Sequence, residues 1–251
     1  MAVLKARPPR VAAQVVEVDG LPAALDGLRI VQLSDLHCGP FVSEERVDDW
    51  VERANELDGD LVALTGDFIA WGGRHVKPVA RALGKLRARR GVFACMGNHD
   101  YFGAGAGDRL VAALEVQGIE VLRNRSRALA GGLVVAGVDD AWSRRADLGS
   151  ALATIDAGAW TLLLCHDPAA FPRIARTGVP LTLSGHTHAG QFAVPFVAQL
   201  NLAALITRYT AGLYREGSSV LYVSSGLGTT GPPLRIGTRA EIALLTLRRR
   251  G

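Results

Sequence analysis

Lysine is almost missing from this chain: Lys5, Lys77 and Lys85 stand against 25 arginines. The net charge of +4 and the pI near 9.2 therefore rest on arginine. A basic balance favours anionic partners, but alongside so much Ala and Gly the arginine bias reads as plain composition. Cysteine is scarce too. Cys38, Cys95 and Cys165 form no CxxC pair and cannot build a disulfide framework, so nothing demands an oxidising compartment. Long hydrophobic runs are also lacking. The most apolar stretch, 192–206, is interrupted by Pro195, Gln199 and Asn201, whereas a bilayer span takes about 20 apolar residues. The first ten residues hold neither an apolar core region nor an adjacent arginine pair, so no signal peptide is read there. The expectation is a cytoplasmic chain, at most peripheral to a membrane.

Repeats, low-complexity tracts and Pro/Ser-rich linkers are absent as well. With 251 residues, 49% of them hydrophobic, the chain can bury one large core. The reading is an N-terminal extension over 1–27 and a single domain over 28–251. Strand-like apolar runs fall at Leu28–Leu33, Leu61–Leu64, Val92–Met96, Leu133–Val138, Thr161–Cys165, Leu181–Leu183, Val220–Val223 and Ile242–Leu247. Helical spacing lies between them: one helix after Ser43 as N-cap, one over Val76–Leu86, and one over Leu110–Gln117 with Asp108 as its cap. Asp167-Pro168 opens another. Strands alternating with helices indicate an α/β domain, and hairpin-like runs near Gly212–Leu221 indicate that its sheets are not purely parallel.

The chemistry is concentrated at the ends of the runs. Histidine occurs six times, and five of the six sit in short polar clusters directly after an apolar run. These are Asp35-Leu-His37, Gly97-Asn-His-Asp100, Cys165-His166-Asp167 and Gly185-His-Thr-His188, with Gly66-Asp67 as a fifth cluster. Ligands of open α/β sheets bind beyond the carboxyl ends of strands, so five such ends would deliver their side chains to one crevice. Any one cluster alone reads as a cap or turn; together they point to a site. Asp, His and Asn suit Mn²⁺, Fe, Zn²⁺ or Mg²⁺ better than a soft thiolate metal. Seven candidate ligands, Asp35, His37, Asp67, Asn98, His166, His186 and His188, suit two ions sharing a carboxylate, an arrangement used for in-line displacement at phosphorus.

DxH, GD, GNHD, an isolated His and GHTH, in this order from Leu28 to Leu247, resemble the calcineurin-like metallophosphoesterase superfamily. The wording LRIVQLSDLHCG, LSGHTHAGQ and SSGLGTT is similar to its bacterial phosphodiesterase branch of YkuE- and YaeI-like proteins. The resemblance implies a four-layer α/β (α+β) sandwich of two mixed β-sheets flanked by helices. It implies one ion on Asp35, His37, Asp67 and His188, and a second on Asp67, Asn98, His166 and His186, with Asp67 bridging. Mn²⁺ is the first choice, with Fe, Zn²⁺, Co²⁺ or Mg²⁺ as alternatives. His99, with Asp100 beside it, falls at the catalytic position, His99 as the acid that protonates the leaving oxygen and a metal-bridging hydroxide as nucleophile.

The implied function is hydrolysis of a phosphodiester or pyrophosphate bond in a small-molecule, nucleotide or lipid-linked substrate. A phosphomonoesterase or nuclease of the same superfamily is the alternative, with nucleic acid the less favoured partner. A non-catalytic metal-binding scaffold is the rival from another class, and the complete set of ligands plus His99 speaks against it. Departures narrow the branch further. Ala70 stands where protein Ser/Thr phosphatases carry an Asp and purple acid phosphatases a Tyr. No Asp-His follows His188, as a metallo-β-lactamase reading would require.

Smaller signals remain. Asp140, Arg144, Arg208 and Arg235 are candidate substrate contacts, with turn, cap and loop roles as the plain alternatives. His75 reads as a surface histidine. Arg74, Lys77, Arg81 and Lys85 read as a solvated helix face. The apolar segment Phe192–Tyr214 reads as a helix packed on the core or, more sharply, as a flap for a lipid chain or bilayer interface that ends in Arg208, Tyr209 and Tyr214.

Overall fold

A computed structural model describes residues 8–156, 158–190, 207–231 and 234–251. The strands that read as unbroken apolar runs are buried on both faces, and this is why they lack alternation. In β2 (Arg29–Leu33) and β3 (Leu61–Thr65), Ile30, Leu61 and Ala63 face one core while Val31, Val62 and Leu64 face another. The period-two direction of side chains thus feeds two cores from one strand.

The first sheet has the order β1-β12-β2-β3-β4-β5 and adds β1 (Arg10–Val18), β4 (Val92–Cys95), β5 (Glu120–Val121) and β12 (Glu241–Arg249). The second has the order β10-β11-β9-β8-β7-β6. It is built from β6 (Arg125–Leu129), β7 (Leu133–Gly137), β8 (Trp160–Leu164), β9 (Leu181–Ser184), β10 (Gly212–Glu216) and β11 (Ser219–Val223). Both sheets are mixed. β2, β3, β4 and β5 are parallel, as are β7, β8, β9 and β11, whereas β12 runs antiparallel to β2 and β10 to β11.

Helices α1 (Glu44–Glu56), α2 (Val76–Leu83) and α3 (Ala106–Val116) cover the outer face of the first sheet through Val47, Trp50, Val79, Leu83 and Leu110. Helices α4 (Leu148–Leu152) and α5 (Phe171–Ala175) cover the second through Leu148 and Ile174. Between the sheets, Phe93 and Leu61 meet Leu162, Leu164 and Trp160. Each such apolar side chain contributes about 1.5–3 kcal/mol on burial. The fold is the expected α/β sandwich of four layers.

Three expectations need correction. Residues 10–18 are no extension: β1 pairs along its full length with β12, from Arg10↔Glu241 to Val18↔Arg249, and Val16 and Val18 enter the inter-sheet core. The domain therefore begins ahead of residue 28. Asp108 does not cap α3, whose N-cap is Gly105; it lies in the first turn and pairs with Arg123. Helix α2 ends at Leu83, short of Leu86. Ser43 does cap α1, accepting the Arg46 N–H, and Asp167 caps the turn at Pro168–Ala170. The basic face of α2 is solvated, with Arg81 and, just past the helix, Lys85 reaching Glu44 and Asp48 on α1 in exposed pairs, which are worth ~0–1 kcal/mol each. Most of the segment singled out at Phe192–Tyr214 lies outside the described residues.

Candidate metal centre

Because β2, β3 and β4 share one direction, and β8 and β9 likewise, all five polar clusters leave strands at the same edge. Asp35 and His37 follow β2, Asp67 follows β3, Asn98 and His99 follow β4, His166 follows β8, and His186 and His188 follow β9. The two sheets are stitched together here. Gln32 Nε2 donates to the Ser184 carbonyl at 2.9 Å, and the His186 N–H donates to both Asp35 oxygens at 3.0 and 3.1 Å.

The turns are tight. Asp35, His37, Asp67, His186 and His188 all have φ between 49° and 70°, a left-handed backbone that costs a non-glycine residue about 1–2 kcal/mol. Such strain is held by surrounding structure and concentrates at functional sites. The glycines of two motifs are required by close approach. A Cβ at Gly97 would lie 2.2 Å from Asp67 Oδ1, and one at Gly185 would lie 1.9 Å from Ser34 Oγ and 2.3 Å from Asp35 Oδ2.

Ligand-type atoms converge in two groups around Asp67. In the first, Asp35 Oδ1 lies 3.4 Å from His188 Nε2, His37 Nε2 lies 3.0 Å from His188 Nε2, and Asp67 Oδ2 lies 3.5 Å from His37 Nε2. In the second, Asp67 Oδ2 lies 3.3 Å from His166 Nε2, which in turn lies 3.2 Å from His186 Nδ1. His166 Nδ1 donates to the Thr65 carbonyl at 2.6 Å, so its Nε2 is the nitrogen that faces Asp67 and His186. Asn98 Oδ1 is buried with no hydrogen-bond donor. Ligand-type atoms gathered this closely around one carboxylate and an orphaned amide oxygen are what a cation site requires, so the residues fit two divalent ions.

Electrostatics agree. Burial holds the His37 pKa down at about 3, and burial followed by His37 and Arg235 holds His188 well below the usual value. Burial would raise Asp67, but the charge and hydrogen bond of His166, then His37 and His99, hold it well below the carboxylate range. Asp35 is raised to about 6, first by burial and then by Asp67. His166 is raised well above normal: the Asp67 charge and hydrogen bond, then Asp35, outweigh its burial.

His99 stands beside this pair of groups. Its Nδ1 donates to the Ala70 carbonyl at 2.8 Å, and its ring lies between His37 and Phe102, each with a centroid 4.6 Å away. A ligand atom of His99 falls within 4.8 Å of those of His37 and Asp67.

The other candidates are placed differently. Asp100 faces away from the reacting space: fully buried, it accepts the backbone N–H groups of Gly97, Asp67, Phe68 and Ile69. It is a positioning residue rather than a catalytic one. Asp140 caps its own turn, accepting from Trp142 N, Ser143 N and Ser143 Oγ. Arg144 is exposed in that turn with φ 58°. Arg208 pairs with Glu216 and the Tyr209 hydroxyl, and Tyr209 is buried against Phe171; the flap they were expected to rim lies outside the described residues. Arg235 is drawn inward, donating to the carbonyls of Ser225 (2.7 Å), Gly226 (3.1 Å) and Gly228 (2.6 Å), with His188 Nδ1 at 3.3 Å.

Sequence reasoning missed the aromatic neighbours. Trp142 lies 5.4 Å from the His186 ring and donates through Nε1 to Asp167, and Phe102 lies against His99. An aromatic residue a few positions beyond a strand-end motif was the available signal. Among the described residues, no helix is long and apolar enough to cross a membrane.

Comparisons with known proteins agree with this geometry. A transmembrane protein with metallophosphoesterase domain from Danio rerio is 34% identical over 97% of this chain, which spans 58% of that relative's length. An uncharacterized metallophosphoesterase, YkuE, from Bacillus subtilis is 34% identical over 91% of the chain and 82% of its own length. Among solved structures, a phosphopantetheinyl hydrolase from Mycobacterium tuberculosis superposes with a TM-score of 0.52 at 13% identity, covering 80% of this chain and 91% of its own, a likeness of fold. The family model described as calcineurin-like phosphoesterase matches residues 28–190, the span that holds every motif of the two groups. On that match and on the identity to its relatives, the chain belongs to the calcineurin-like phosphoesterase family and carries the candidate ligands of a dimetal centre.

Proposed function

We propose that this metal-dependent phosphoesterase hydrolyses phosphodiester or pyrophosphate bonds of a lipid-linked or nucleotide substrate, with Mn²⁺ as its first-choice metal. The carrying observation is Asp67 Oδ2, a single oxygen 3.5 Å from His37 Nε2 and 3.3 Å from His166 Nε2, where the two groups meet. Asp35, His37, Asp67 and His188 would hold one ion, and Asp67, Asn98, His166 and His186 the other. Bound there, two ions supply the Lewis acidity that activates water and neutralises charge at phosphorus.

His99 has a separate task. With Nδ1–H anchored on the Ala70 carbonyl, its Nε2 is the atom left to hold a proton and deliver it to the leaving oxygen. Phe102 and His37 fix the ring from either side.

The preference for a diester rests on charge. A phosphomonoester dianion calls for free cationic donors beside the metals. Arg235, whose guanidinium touches His188, directs its two terminal nitrogens to three carbonyls and keeps only Nε without a partner. A lipid-linked substrate is consistent with relatives whose names describe transmembrane proteins.

The test is hydrolysis of bis-p-nitrophenyl phosphate against p-nitrophenyl phosphate with Mn²⁺, Fe²⁺, Zn²⁺, Co²⁺ and Mg²⁺, followed by product profiling on nucleotides and nucleotide-diphospho-lipids. The diester is expected to lead by about tenfold or more in kcat/KM. A faster monoester reaction would overturn the bond assignment. No turnover with two ions bound would favour the scaffold.

A further inference from the structure

Phe41, Trp71, Phe102 and Trp142 are the exposed phenylalanines and tryptophans among the described residues, and all four surround the metal centre. Trp142 is 57% exposed while its ring lies on His186, and Phe102 is 47% exposed while its ring lies on His99. Trp71, 54% exposed, follows the Ala70 carbonyl that anchors His99, and its neighbour Gly72 donates to the Phe102 carbonyl. Phe41 sits in the turn closed by the Gly39 N–H on the Val42 carbonyl, beside Ala70. Exposed Leu234 and Ile236 flank Arg235 next to His188.

Large side chains left in water around one opening mark an interaction face. Exposed large apolar side chains elsewhere in the described residues, such as Val116 on α3, are aliphatic. Tryptophan in particular is suited to the boundary between lipid headgroups and acyl chains, because its ring is apolar and its N–H polar.

The exposed charge of this face is mainly basic, with Glu45 beside the Phe41 turn and Asp108, paired with Arg123, among its exposed acids. Arg74, Arg144 and Arg145 are exposed on the same loops, and exposed Arg109 leans over Gly73. The carboxylates at this end are mostly turned inward. Asp35, Asp67, Asp100, Asp139 and Asp140 are buried, and half-buried Asp167 is engaged by Trp142 and Ala169. Exposed Asp147 is engaged as the cap of α4. Arginines interleaved with aromatic rings match an anionic lipid surface.

The chain's direction adds continuity. Arg10, at the start of β1, donates its N–H to the Ala240 carbonyl, and the Glu241 N–H donates to the Gly226 carbonyl, directly against Asp35. β1 therefore starts at the metal end of the sheet.

We propose that this aromatic and arginine-rich face docks on an anionic phospholipid bilayer, with the Trp71, Phe102 and Trp142 rings in the interface and the metal centre turned towards it. Docking is a binding property separate from hydrolysis, so it can fail without touching the phosphoesterase reading.

The experiment is vesicle sedimentation of the full chain on phosphatidylcholine vesicles with and without phosphatidylglycerol, with quenching of tryptophan fluorescence by brominated acyl chains as a second reading. Binding is expected on the anionic vesicles and to weaken with added salt. Trp71→Asp and Phe41→Asp are expected to lower the vesicle affinity by about tenfold, while Val116→Asp, at the C-terminal end of α3, leaves it unchanged. All three should keep hydrolysis of bis-p-nitrophenyl phosphate, which reports that they fold. No binding of the wild-type chain to anionic vesicles would overturn the proposal and leave a soluble partner for the face. Equal loss in Trp71→Asp and Val116→Asp would overturn it as well, because binding would then not belong to this face.

Discussion

Asp100 Oδ2 accepts the backbone N–H of Asp67 at 3.0 Å, so a residue buried behind the centre sets where the shared carboxylate stands. The same side chain also gathers the N–H groups of Phe68 at 2.7 Å, Gly97 at 2.9 Å and Ile69 at 3.3 Å. Two strand-end loops, after β3 and after β4, are thereby locked around one carboxylate. Burial, then the nearby Asp67, pushes its pKa up to about 8, while the amide bonds from Gly97 and Ile69 pull the other way.

Asp100→Ala would leave four buried amides without an acceptor. Each unsatisfied buried group costs about 1–3 kcal/mol, so a loss of about 3 kcal/mol or more in folding stability is expected, together with loss of bound metal. Asp100→Asn, which keeps one oxygen acceptor, should lose less. Thermal unfolding and metal content measure this; a wild-type Tm in the alanine variant would refute the bracing role.

Gly97→Ala places a methyl group 2.2 Å from Asp67 Oδ1 and 2.5 Å from its backbone nitrogen. Backbone cannot yield there as a flexible side chain would, so Asp67 must shift. The expected outcome is a chain with normal circular dichroism that retains fewer metal ions after dialysis and has little activity. Full metal content would show that the loop accommodates the methyl group.

Asp67 and His99 should separate by what they lose. Asp67→Asn is expected to lose metal and activity together, because its Oδ2 serves both groups. His99→Ala is expected to keep both ions while kcat falls by about 10²–10⁴, the usual contribution of a positioned acid. Loss of an ion in His99→Ala would instead make His99 a ligand.

Metal binding should release a proton. In the metal-free fold the Asp67 charge and hydrogen bond, against the opposing effect of burial, raise the His166 pKa above its usual value and so favour the protonated ring. Ligation through Nε2 needs that proton gone. Affinity is therefore expected to rise with pH, by about tenfold per unit while His166 is still protonated in the free protein. Calorimetry in buffers of different ionisation enthalpy counts the proton directly, and a buffer-independent heat at neutral pH would contradict it.

Which candidate ligands converge on the centre was legible from the amino-acid order alone. β2, β3, β4, β8 and β9 are buried on both faces, so they read as unbroken apolar runs, and a polar cluster after such a run has nowhere to go but the strand's end. That pattern is local, and local information was enough. The edges were not legible: β1 buries few of its side chains and β6 is polar along most of its length, so neither shows a strand's signature without its partner.

Adjacent residues could not be separated by sequence either. His99 and Asp100 are neighbours in one motif, yet the short 3-10 turn over His99–Tyr101 aims one at the centre and the other into the loops behind it. The arginines were misjudged for the same physical reason. Arg208 is paired with Glu216, and the terminal nitrogens of Arg235 are taken by loop carbonyls brought to them by folding. A charge is available to a ligand only if no partner has already claimed it. Partners come from chain crossings that residue order does not display, so the tertiary structure alone decided which of these cations were free.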